Sequence, residues 1–409
     1  MIILGIETSC DETSIALIEV GVHRENITEI TVLAHMTHSQ IEVHAQYGGV
    51  FPALAKREHA KNLIPIFKKI LETANISHST THTSDKKVYD ISYTLEESKK
   101  ILEREPELLR QFLEFIPHIE KPPIDAIAVT AGPGLEPALW VGINFAKALS
   151  HVWDIPLVPV NHMEGHIFSA LLHREENSKF EKILNTKYHI LNTIYPSLAL
   201  LVSGGHTEIV LLKNGFQYEI IGHTLDDAIG EAFDKVARIL NLPYPGGLEI
   251  SRLASAARRE KLAGHWKFPR PMIKDPSLNM SYSGLKTAVL YAVKKHGAMS
   301  GDDKKTLALE FEDAALDVIM EKTKKAVELT GAKTLLVGGG VIANKELRRR
   351  LGEFEKSLDS LTLMIAPEEV ATDNALMIAV AGAFRYRTEG GTRTRKTITA
   401  LGNWRIDSI

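Results

Sequence analysis

The sequence is poor in cysteine and has no long apolar run, and both absences narrow the class of protein. A single cysteine, Cys10, excludes an internal disulfide framework and is typical of a reducing compartment. No apolar run approaches the roughly 20 residues that a bilayer-spanning helix needs. The first residues, Met1 to Glu7, lack a basic stretch and predict a strand, not a signal peptide. We therefore expect a soluble cytoplasmic protein.

Two common nucleotide-binding signatures are also missing. The chain contains neither G-x-G-x-x-G nor a G-x-x-x-x-G-K-[ST] phosphate loop, so Rossmann and P-loop sites have no support. The net charge of −3 gives no overall attraction to nucleic acid, and any RNA contact would come from local basic patches. A length of 409 residues favours two lobes over one.

Predicted strands alternate with predicted helices, which indicates an α/β fold. Residues 2–20 predict a strand, a small polar turn and a strand, and residues 197–213 repeat this pattern. The repeat indicates two related halves that each open with a β-hairpin. Residues 75–120 and 173–195 are irregular and polar, and they predict surface insertions. The other predicted strands lie at 124–129, 156–160 and 333–337, and helices at about 53–73, 94–115 (interrupted at Pro106), 134–153, 225–240, 306–330 and 373–384.

A pair of histidines, His162 and His166, is the first candidate for chemistry. The i, i+4 spacing places both imidazoles on one face of a helix, where they can share a metal. The chain has 17 histidines, so such a pair is weak evidence alone. Asp373 precedes the last predicted helix and either caps it, as Thr372 also could, or adds an oxygen ligand. Two imidazoles and one carboxylate form an open set suited to Fe(II) or Zn(II).

Two glycine-rich turns are candidates for nucleotide binding. In Ser203-Gly204-Gly205, small residues let backbone N–H groups converge on a phosphate, although an ordinary tight hairpin has the same composition. Three glycines at 338–340 follow a buried strand and would let adenine or ribose lie against the backbone, with Asn344 as a polar partner. The alternative is a simple strand-to-helix turn with Asn344 as its cap.

Acidic residues occur in two groups. Glu7, Asp11 and Glu12 surround the first turn, where metal or proton chemistry is a natural function. Asp226, Asp227, Glu231 and Asp234 lie along one predicted helix, and a solvated face is the usual explanation for such a run.

Many segments resemble one known family in the same order along the chain: Gly5–Thr13, Tyr47–Val50, Ala131–Leu135, His162–His166, Leu201–Thr207, Gly230–Lys235, Tyr244–Gly247, Phe268–Pro271, Ser283–Lys286, Gly339–Val341 with Asn344, and Thr372–Asn374. They resemble the tRNA N6-adenosine threonylcarbamoyltransferase family, formerly called O-sialoglycoprotein endopeptidase. The resemblance implies a two-lobed actin-like ATPase fold with a nucleotide in the cleft. The expected lobes are 1–161, with the insertion 75–120 and completed by 373–409, and 162–372.

The resemblance also implies a reaction and a set of residues. The threonylcarbamoyl group of threonylcarbamoyl-AMP would pass to the N6 amine of the adenosine beside the anticodon in ANN-decoding tRNA. One divalent metal, Fe²⁺ by preference and Zn²⁺ as the alternative, would be held by His162, His166 and Asp373. Asp11 and Glu12 are candidates for assisting proton removal. The residues expected to contact the adenylate are Leu201, Val202, Ser203, Gly204, Gly205, Asp234, Gly247 and Asn344.

Departures from the family pattern are informative. Leu201 replaces a tyrosine of archaeal and eukaryotic relatives, which favours a bacterial-type protein with an inactive homologue and a small ATPase as partners. Ser251 stands where some relatives carry an acid that could contact ribose.

Three other functions compete. A zinc protease needs His-Glu-x-x-His, but Glu164 lies about 200° round the helix from His162 and would point away from the metal. A sugar kinase on the same fold has no need of the histidine pair, and a catalytically dead scaffold would not need the intact acids.

Two basic segments are candidates for tRNA contact. Residues 252–274 hold seven Lys or Arg against one acid, with His265 and Trp266 among them, and residues 385–396 hold five against one. We expect charge reversal at Arg393 and Arg395 to weaken tRNA binding without affecting adenylate binding. Solvated loops would have the same composition.

Overall fold

The computed structural model describes residues 1–24, 26–76, 91–174, 186–191, 193, 195–392 and 397–408. Contacts within the chain divide it into two compact units. The first comprises Met1–Glu42, Val50–Leu191 and Asp373–Ser408, and the second comprises Val43–Gly49 and Asn192–Thr372. Among the described residues, no helix combines the length and the apolar character needed to cross a bilayer.

Twelve strands form two sheets within the described chain. Their bounds are β1 (Ile2–Glu7), β2 (Glu12–His23), β3 (Asn26–Ser39), β4 (Ala126–Gly132), β5 (Leu157–Asn161), β6 (Leu172–Arg174), β7 (Lys187–Ile190), β8 (Ser197–Val202), β9 (Thr207–Asn214), β10 (Gln217–His223), β11 (Thr334–Gly338) and β12 (Thr362–Ile365). The first unit holds the order β5-β4-β1-β2-β3-β7-β6, and the second holds β10-β9-β8-β11-β12.

The two sheets share one topology. In the first, β1 and β2 form an antiparallel hairpin, β3 continues it, and β4 and β5 run parallel to β1. In the second, β8 and β9 form the hairpin, β10 continues it, and β11 and β12 run parallel to β8. The predicted repeat of the hairpin is therefore confirmed. The fold is an α/β fold made of two units that share one sheet topology.

The helices described by the structure lie mostly where the sequence predicts them, although α1, α8 and α9 and the strands β3, β6, β7, β10 and β12 have no predicted counterpart. Their bounds are α1 (Ile41–Ala45), α2 (Pro52–Thr73), α3 (Ile91–Ile101), α4 (Pro106–Phe115), α5 (Glu136–Trp153), α6 (His162–Ser169), α7 (Ile229–Ile239), α8 (Gly246–Glu260), α9 (Ser283–His296), α10 (Gly301–Thr330), α11 (Lys345–Lys356) and α12 (Ala375–Glu389).

Strand β1 separates two layers of helices in the first unit. Successive side chains of a strand point to opposite faces. Leu4 and Ile6 join the core formed with α2, α4 and α5. Gly5 faces α12 instead, and a Cβ built on it would lie 2.3 Å from the carbonyl oxygen of Ala375. Only glycine permits this approach of α12 to the sheet.

The boundary between the units differs from the predicted one. Segment 162–191 belongs to the first unit and not to the second, because α6 packs against α12 and the β6–β7 pair extends the first sheet beyond β3. Segment 43–49 belongs to the second unit, where the Arg238 guanidinium donates to the Gly48 carbonyl.

The described part of the insertion 75–120 is more than a surface decoration. It forms α3 and α4, separated at Pro106 as predicted. Leu108 and Phe112 of α4 are fully buried, and the Phe112 ring meets Phe145 of α5 edge to face at 6.4 Å. Residues 77–90 of this insertion lie outside the described residues.

A buried ion pair joins α6 to α12. The Arg385 guanidinium donates to both carboxylate oxygens of Glu164, at 2.5 and 2.9 Å, and both side chains are buried. Arg385 also reaches Glu389 one turn along α12, at 3.2 Å. Removing one partner of such a pair leaves a buried charge without compensation.

We predict that Arg385→Leu lowers the free energy of unfolding of the first unit by about 3–5 kcal/mol, because Glu164 then stays buried without its cation. Chemical denaturation of the purified variant measures this. The double variant Glu164→Leu with Arg385→Leu should recover most of the loss, since it contains no uncompensated charge. A double variant as unstable as Arg385→Leu would contradict this explanation.

Candidate metal centre

The two histidines of the predicted pair lie on α6, directly after β5. Asn161 caps this helix: its side-chain oxygen accepts the Met163 N–H at 2.9 Å, and its side-chain nitrogen donates to the Trp404 carbonyl at 3.0 Å. The rings of His162 and His166 are both buried, with centroids 4.8 Å apart and planes at 87°. The i, i+4 spacing therefore places both imidazoles on one face of the helix.

Asp373 lies just before α12, and its carboxylate faces both imidazoles. Its Oδ1 is 3.3 Å from Nε2 of His162 and 3.2 Å from Nε2 of His166. The cap of α12 is Asn374, whose side-chain oxygen accepts the Met377 N–H at 3.0 Å. Because neither Asp373 nor Thr372 is the cap, the carboxylate of Asp373 is directed at the histidines.

The donor set fits a metal ion. Nδ1 of His166 is buried and makes no hydrogen bond within the described residues, which is costly for a polar atom, and Nε2 has only its contact with Asp373. One ligand atom from each of His162, His166 and Asp373 lies within 4.8 Å of the others. Two imidazoles with one carboxylate leave coordination positions for a substrate. This group could hold a metal ion, and the Asp373 side chain, 25% exposed, leaves it open on one side.

Glu7, at the end of β1, orients His162. Its Oε2 is 3.1 Å from Nδ1 of His162, so the ring donates there and turns Nε2 toward Asp373. Glu7 is itself held by the Thr130 hydroxyl at 2.6 Å and the Ser9 N–H at 2.5 Å. A carboxylate behind a metal-binding imidazole fixes the ring and raises its basicity. The sequence indicates that the acids near this turn take part in the site, but it does not predict that Glu7 orients His162, because the two residues are far apart along the chain.

Electrostatics at this group favour a cation. Burial lowers the pKa of His162, but the carboxylates of Asp373 and Glu7 outweigh it and hold that pKa well above its ordinary value. Burial raises the pKa of Asp373, yet the neighbouring histidines bring it well below its ordinary range. Burial lowers the pKa of His166. Buried Glu7 and partly exposed Asp373 thus pair with imidazoles and with no lysine or arginine among the described residues.

The turn that carries Asp11 and Glu12 is fixed by His59 of α2. Nε2 of His59 donates to the Cys10 carbonyl at 3.0 Å, and its Nδ1 lies 2.7 Å from the Thr13 hydroxyl. Because a carbonyl oxygen only accepts, the His59 proton is on Nε2 and Nδ1 accepts from Thr13. One buried ring therefore holds both ends of the acidic pair. No pattern in the sequence indicates this role for His59.

Glu12 has the properties of a carboxyl group that takes up a proton readily. Burial, together with the charges of Asp11 and Asp373, raises its pKa well above the ordinary value. The same causes raise the pKa of the Cys10 thiol, so that cysteine is a protonated, unreactive neighbour.

Glu164 cannot serve as the base of a zinc protease. Its carboxylate is bound to Arg385, as described above, and is directed at α12. A base that activates a metal-bound water must reach the metal. The sequence argument that Glu164 points away from the pair agrees with this geometry.

In the second unit, the turn Ser203-Gly204-Gly205 joins β8 to β9. The Ser203 N–H donates to the His206 carbonyl at 2.8 Å, and the Ser203 hydroxyl accepts the His206 N–H at 3.0 Å. The Ser203 N–H is thus used inside the turn, which corrects the expectation that it faces a phosphate. Gly204 and Gly205 are exposed, with open space where a Cβ would lie. Their backbone is the part of the turn that a ligand could approach.

The strand before this turn is closely packed. Leu201 and Val202 are fully buried, so their side chains are not available to a ligand. Gly339 has φ of 101°, and a Cβ on it would lie 2.4 Å from the Val202 carbonyl oxygen. Glycine at this position lets the loop after β11 lie directly against the end of β8.

Asp234 and Asn344 both organise helix starts in this unit. Oδ1 of Asp234 accepts the N–H groups of Gly246 at 2.8 Å and Gly247 at 3.1 Å, which fixes the first turn of α8. Oδ1 of Asn344 accepts the Leu347 N–H at 2.9 Å, which caps α11.

The Asn344 amide has little capacity left for a ligand. Its Nδ2 donates to Glu312 at 2.7 Å and to the Ser251 hydroxyl at 2.8 Å, which uses both hydrogens. One lone pair on Oδ1 is the remaining acceptor. The cap interpretation of Asn344 is therefore correct, and any contact with a nucleotide is limited to accepting one hydrogen bond.

The acids at 226–234 do not share one helix. Asp226 and Asp227 precede α7, which begins at Ile229. Asp227 pairs with Lys235 at 2.7 Å and Lys286 at 3.1 Å. The solvated face expected from the sequence is wrong for Asp227, whose charge two lysines offset, whereas Asp226 is exposed and accepts from the hydroxyls of Ser281 and Ser283.

Comparison with known proteins agrees with the predicted family. A family model described as TsaD, tRNA N6-adenosine threonylcarbamoyltransferase, matches residues 31–82 and 97–380. The chain belongs to this family. It is 38% identical over 406 residues to the tRNA N6-adenosine threonylcarbamoyltransferase of Thermosipho africanus, which covers 99% of this chain and 100% of the relative. The enzyme of that name from Neisseria meningitidis serogroup A is 38% identical over 400 residues, and the match covers 94% of this chain and 93% of the relative.

Membership of the threonylcarbamoyltransferase family makes the chain a tRNA-modifying transferase, as predicted. A solved structure of ROK hexokinase from Thermus thermophilus aligns over 95% of this chain and 99% of its own, with 11% identity and a TM-score of 0.43. Arg393 and Arg395, which were expected to contact the tRNA, lie outside the described residues.

We predict that Glu7→Gln weakens metal binding about tenfold or more, because the neutral amide is a poorer acceptor for the His162 ring. Metal titration of the metal-free protein followed by calorimetry measures this. Glu105→Gln is the matched control, since Glu105 is a buried glutamate of the same unit that pairs with Lys56. Equal metal affinity in Glu7→Gln and the wild type would contradict the orienting role.

Proposed function

We propose that the chain transfers the threonylcarbamoyl group from threonylcarbamoyl-AMP to the N6 amine of the adenosine beside the anticodon in ANN-decoding tRNA. The N6 nitrogen attacks the carbamoyl carbon and forms the new bond. The bond from that carbon to the phosphate oxygen breaks, AMP leaves, and the nitrogen gives up one proton. The observation that carries the proposal is the group of His162, His166 and Asp373, with two buried imidazoles and a carboxylate between them, in a chain of this family.

We assign the binding of one divalent ion to His162, His166 and Asp373. Fe²⁺ is the first choice and Zn²⁺ the alternative, because two imidazoles and a carboxylate suit both. When bound, the ion supplies Lewis-acid chemistry that orients the adenylate and polarises the reacting group. The chain's own contribution is to hold the ligands. Glu7 fixes the ring of His162, and Asn374 caps α12, so that the carboxylate of Asp373 is not used as the cap.

We assign recognition of the adenylate to the second unit. Gly204 and Gly205 supply backbone N–H groups to the phosphate, since they are exposed and carry no side chain. Leu201, Val202 and Ser203 act through the backbone, by holding that turn in place. Asp234 positions Gly247 and offers its carboxylate to ribose hydroxyls, and Asn344 accepts one hydrogen bond from adenine through Oδ1.

Glu12 and Asp11 are the candidates that receive the proton from the attacking amine. Both belong to the turn after β1 that His59 holds in place. A carboxylate with a raised pKa is a stronger base than an ordinary one, which favours Glu12 for this step.

The proposed partners follow from the bacterial-type sequence. We propose that an inactive homologue of this chain and a small ATPase act with it. Threonylcarbamoyl-AMP is made by a separate protein and is consumed here.

We predict that His166→Ala abolishes both metal content and transfer. Purified protein, its partner proteins, unmodified tRNA and pre-made threonylcarbamoyl-AMP are combined, and metal per chain is measured on the same samples. His23→Ala, an exposed histidine of the first unit, is the matched control and should keep both properties. Full transfer activity in His166→Ala would contradict the assignment of His166 as a metal ligand. A wild-type protein that transfers nothing with every partner present would contradict the proposed reaction.

We predict that Glu12→Gln lowers the transfer rate about 100-fold or more while the metal content stays at the wild-type level, because a general base typically contributes 10²–10⁴ in rate. Single-turnover transfer with excess enzyme isolates this step. Asp11→Asn, measured alongside, decides which acid takes the proton. Wild-type rates in both variants would show that neither residue is the base.

A further inference from the structure

A column of aromatic rings in the second unit runs from the core to the surface. Phe268 is buried, and its ring stacks on Trp266 with centroids 6.5 Å apart and planes at 15°. Trp266 is half-buried and lies against His265, centroid to centroid 4.2 Å. His265 is exposed. The outer ring therefore rests on a stack that is anchored in the core.

Two helix ends hold this column in place. The Trp266 indole N–H donates to the Thr306 hydroxyl of α10 at 3.1 Å. His296, in the last turn of α9, contacts both outer rings, with centroids 5.8 Å from His265 and 5.2 Å from Trp266. Its Nε2 is 3.3 Å from Asp303 of α10. Three elements thus fix the rings before any ligand arrives.

Exposed cations surround the rings. Lys261 and Lys267 lie on the segment that carries His265, and Lys294 and Lys295 directly precede His296. None of these four lysines makes an ion pair within the described residues.

The acids nearby already have partners. Glu260 and Asp302 are bound by Lys305, at 2.7 and 3.0 Å, and Asp303 caps α10 through Ser300. The four lysines therefore give the surface around the rings an excess of positive charge.

An exposed, rigid ring beside unpaired cations fits an unpaired nucleotide. A base stacks on an aromatic ring whatever its identity, and lysines contact the neighbouring phosphates. The core of a protein–protein interface is instead depleted of lysine. This reasoning favours RNA over a protein partner.

We propose that His265, Trp266 and His296 form a stacking platform for an unpaired base of the tRNA, with Lys261, Lys267, Lys294 and Lys295 contacting the adjacent phosphates. The proposal rests on the proposed function, because it takes its RNA from that reaction. It assigns part of tRNA recognition to a surface of the second unit that is made by the loop after α8 and the ends of α9 and α10.

The test is the affinity of unmodified tRNA for the chain together with its partner proteins. His265→Ala should raise the Kd about fivefold or more, since loss of one base–aromatic stack has an effect of this size. His265→Phe should keep the wild-type Kd, because it retains a ring. His118→Ala, an exposed histidine of the first unit, is the matched control. Wild-type tRNA affinity in His265→Ala and His296→Ala would overturn the platform.

A blunt RNA duplex without unpaired bases separates stacking from charge. His265→Ala should leave the Kd for the duplex unchanged. The double variant Lys294→Glu with Lys295→Glu should instead raise the Kd for both tRNA and duplex and reduce the salt dependence of binding. Equal losses for tRNA and duplex in His265→Ala would overturn the stacking role. The stacking role would also be overturned if His265→Ala no longer bound one of the partner proteins but kept its affinity for tRNA. A wild type that binds tRNA with this sensitivity but transfers nothing would instead contradict the proposed function alone.

Discussion

The close approach of α12 to the first sheet is the constraint on which the metal centre depends. Gly5 has no Cβ, so the first turn of α12 lies directly against β1, and Ala375 comes within a distance that any side chain at position 5 would prevent. This contact joins segments that are far apart in sequence. It places Asp373 against His162 and His166 of α6. A larger residue at position 5 would move the carboxylate ligand away from the imidazoles.

The negative charges of the carboxylates around α6 are offset in two different ways. Glu164 receives a cation from the protein itself, through the guanidinium of Arg385. Glu7 and Asp373 have imidazoles and no lysine or arginine as charged partners among the described residues, and they hold the pKa of His162 well above its ordinary value. A proton on His162 offsets part of this negative charge, and a divalent ion would offset more of it and would also give Nε2 of His166 a ligand bond. The second arrangement is the one expected of a binding site.

The sequence predicted the repeated hairpins, the placement of most helices and the grouping of His162, His166 and Asp373, because each follows from local periodicity, spacing or the family resemblance. It could not predict roles that depend on long-range packing. Glu7 orients His162 from a neighbouring strand, and His59 holds the Asp11 turn from α2. From the sequence, Asn344 could be either a nucleotide ligand or a helix cap. The hydrogen bonds to Glu312 and Ser251 that limit its role as a ligand form only in the folded chain. Helices α8 and α9 were missed since each begins with glycine or serine, which predicts a turn.

The most direct test of the account is X-ray absorption at the iron and zinc edges of the protein as purified, recorded for wild type and for His166→Ala. The account predicts scattering from two imidazoles and at least one oxygen ligand at about 2.0–2.2 Å in the wild type. In the variant, at least one imidazole should disappear from the spectrum or the metal should be lost. A metal bound by oxygen alone, or an identical spectrum in both proteins, would contradict it.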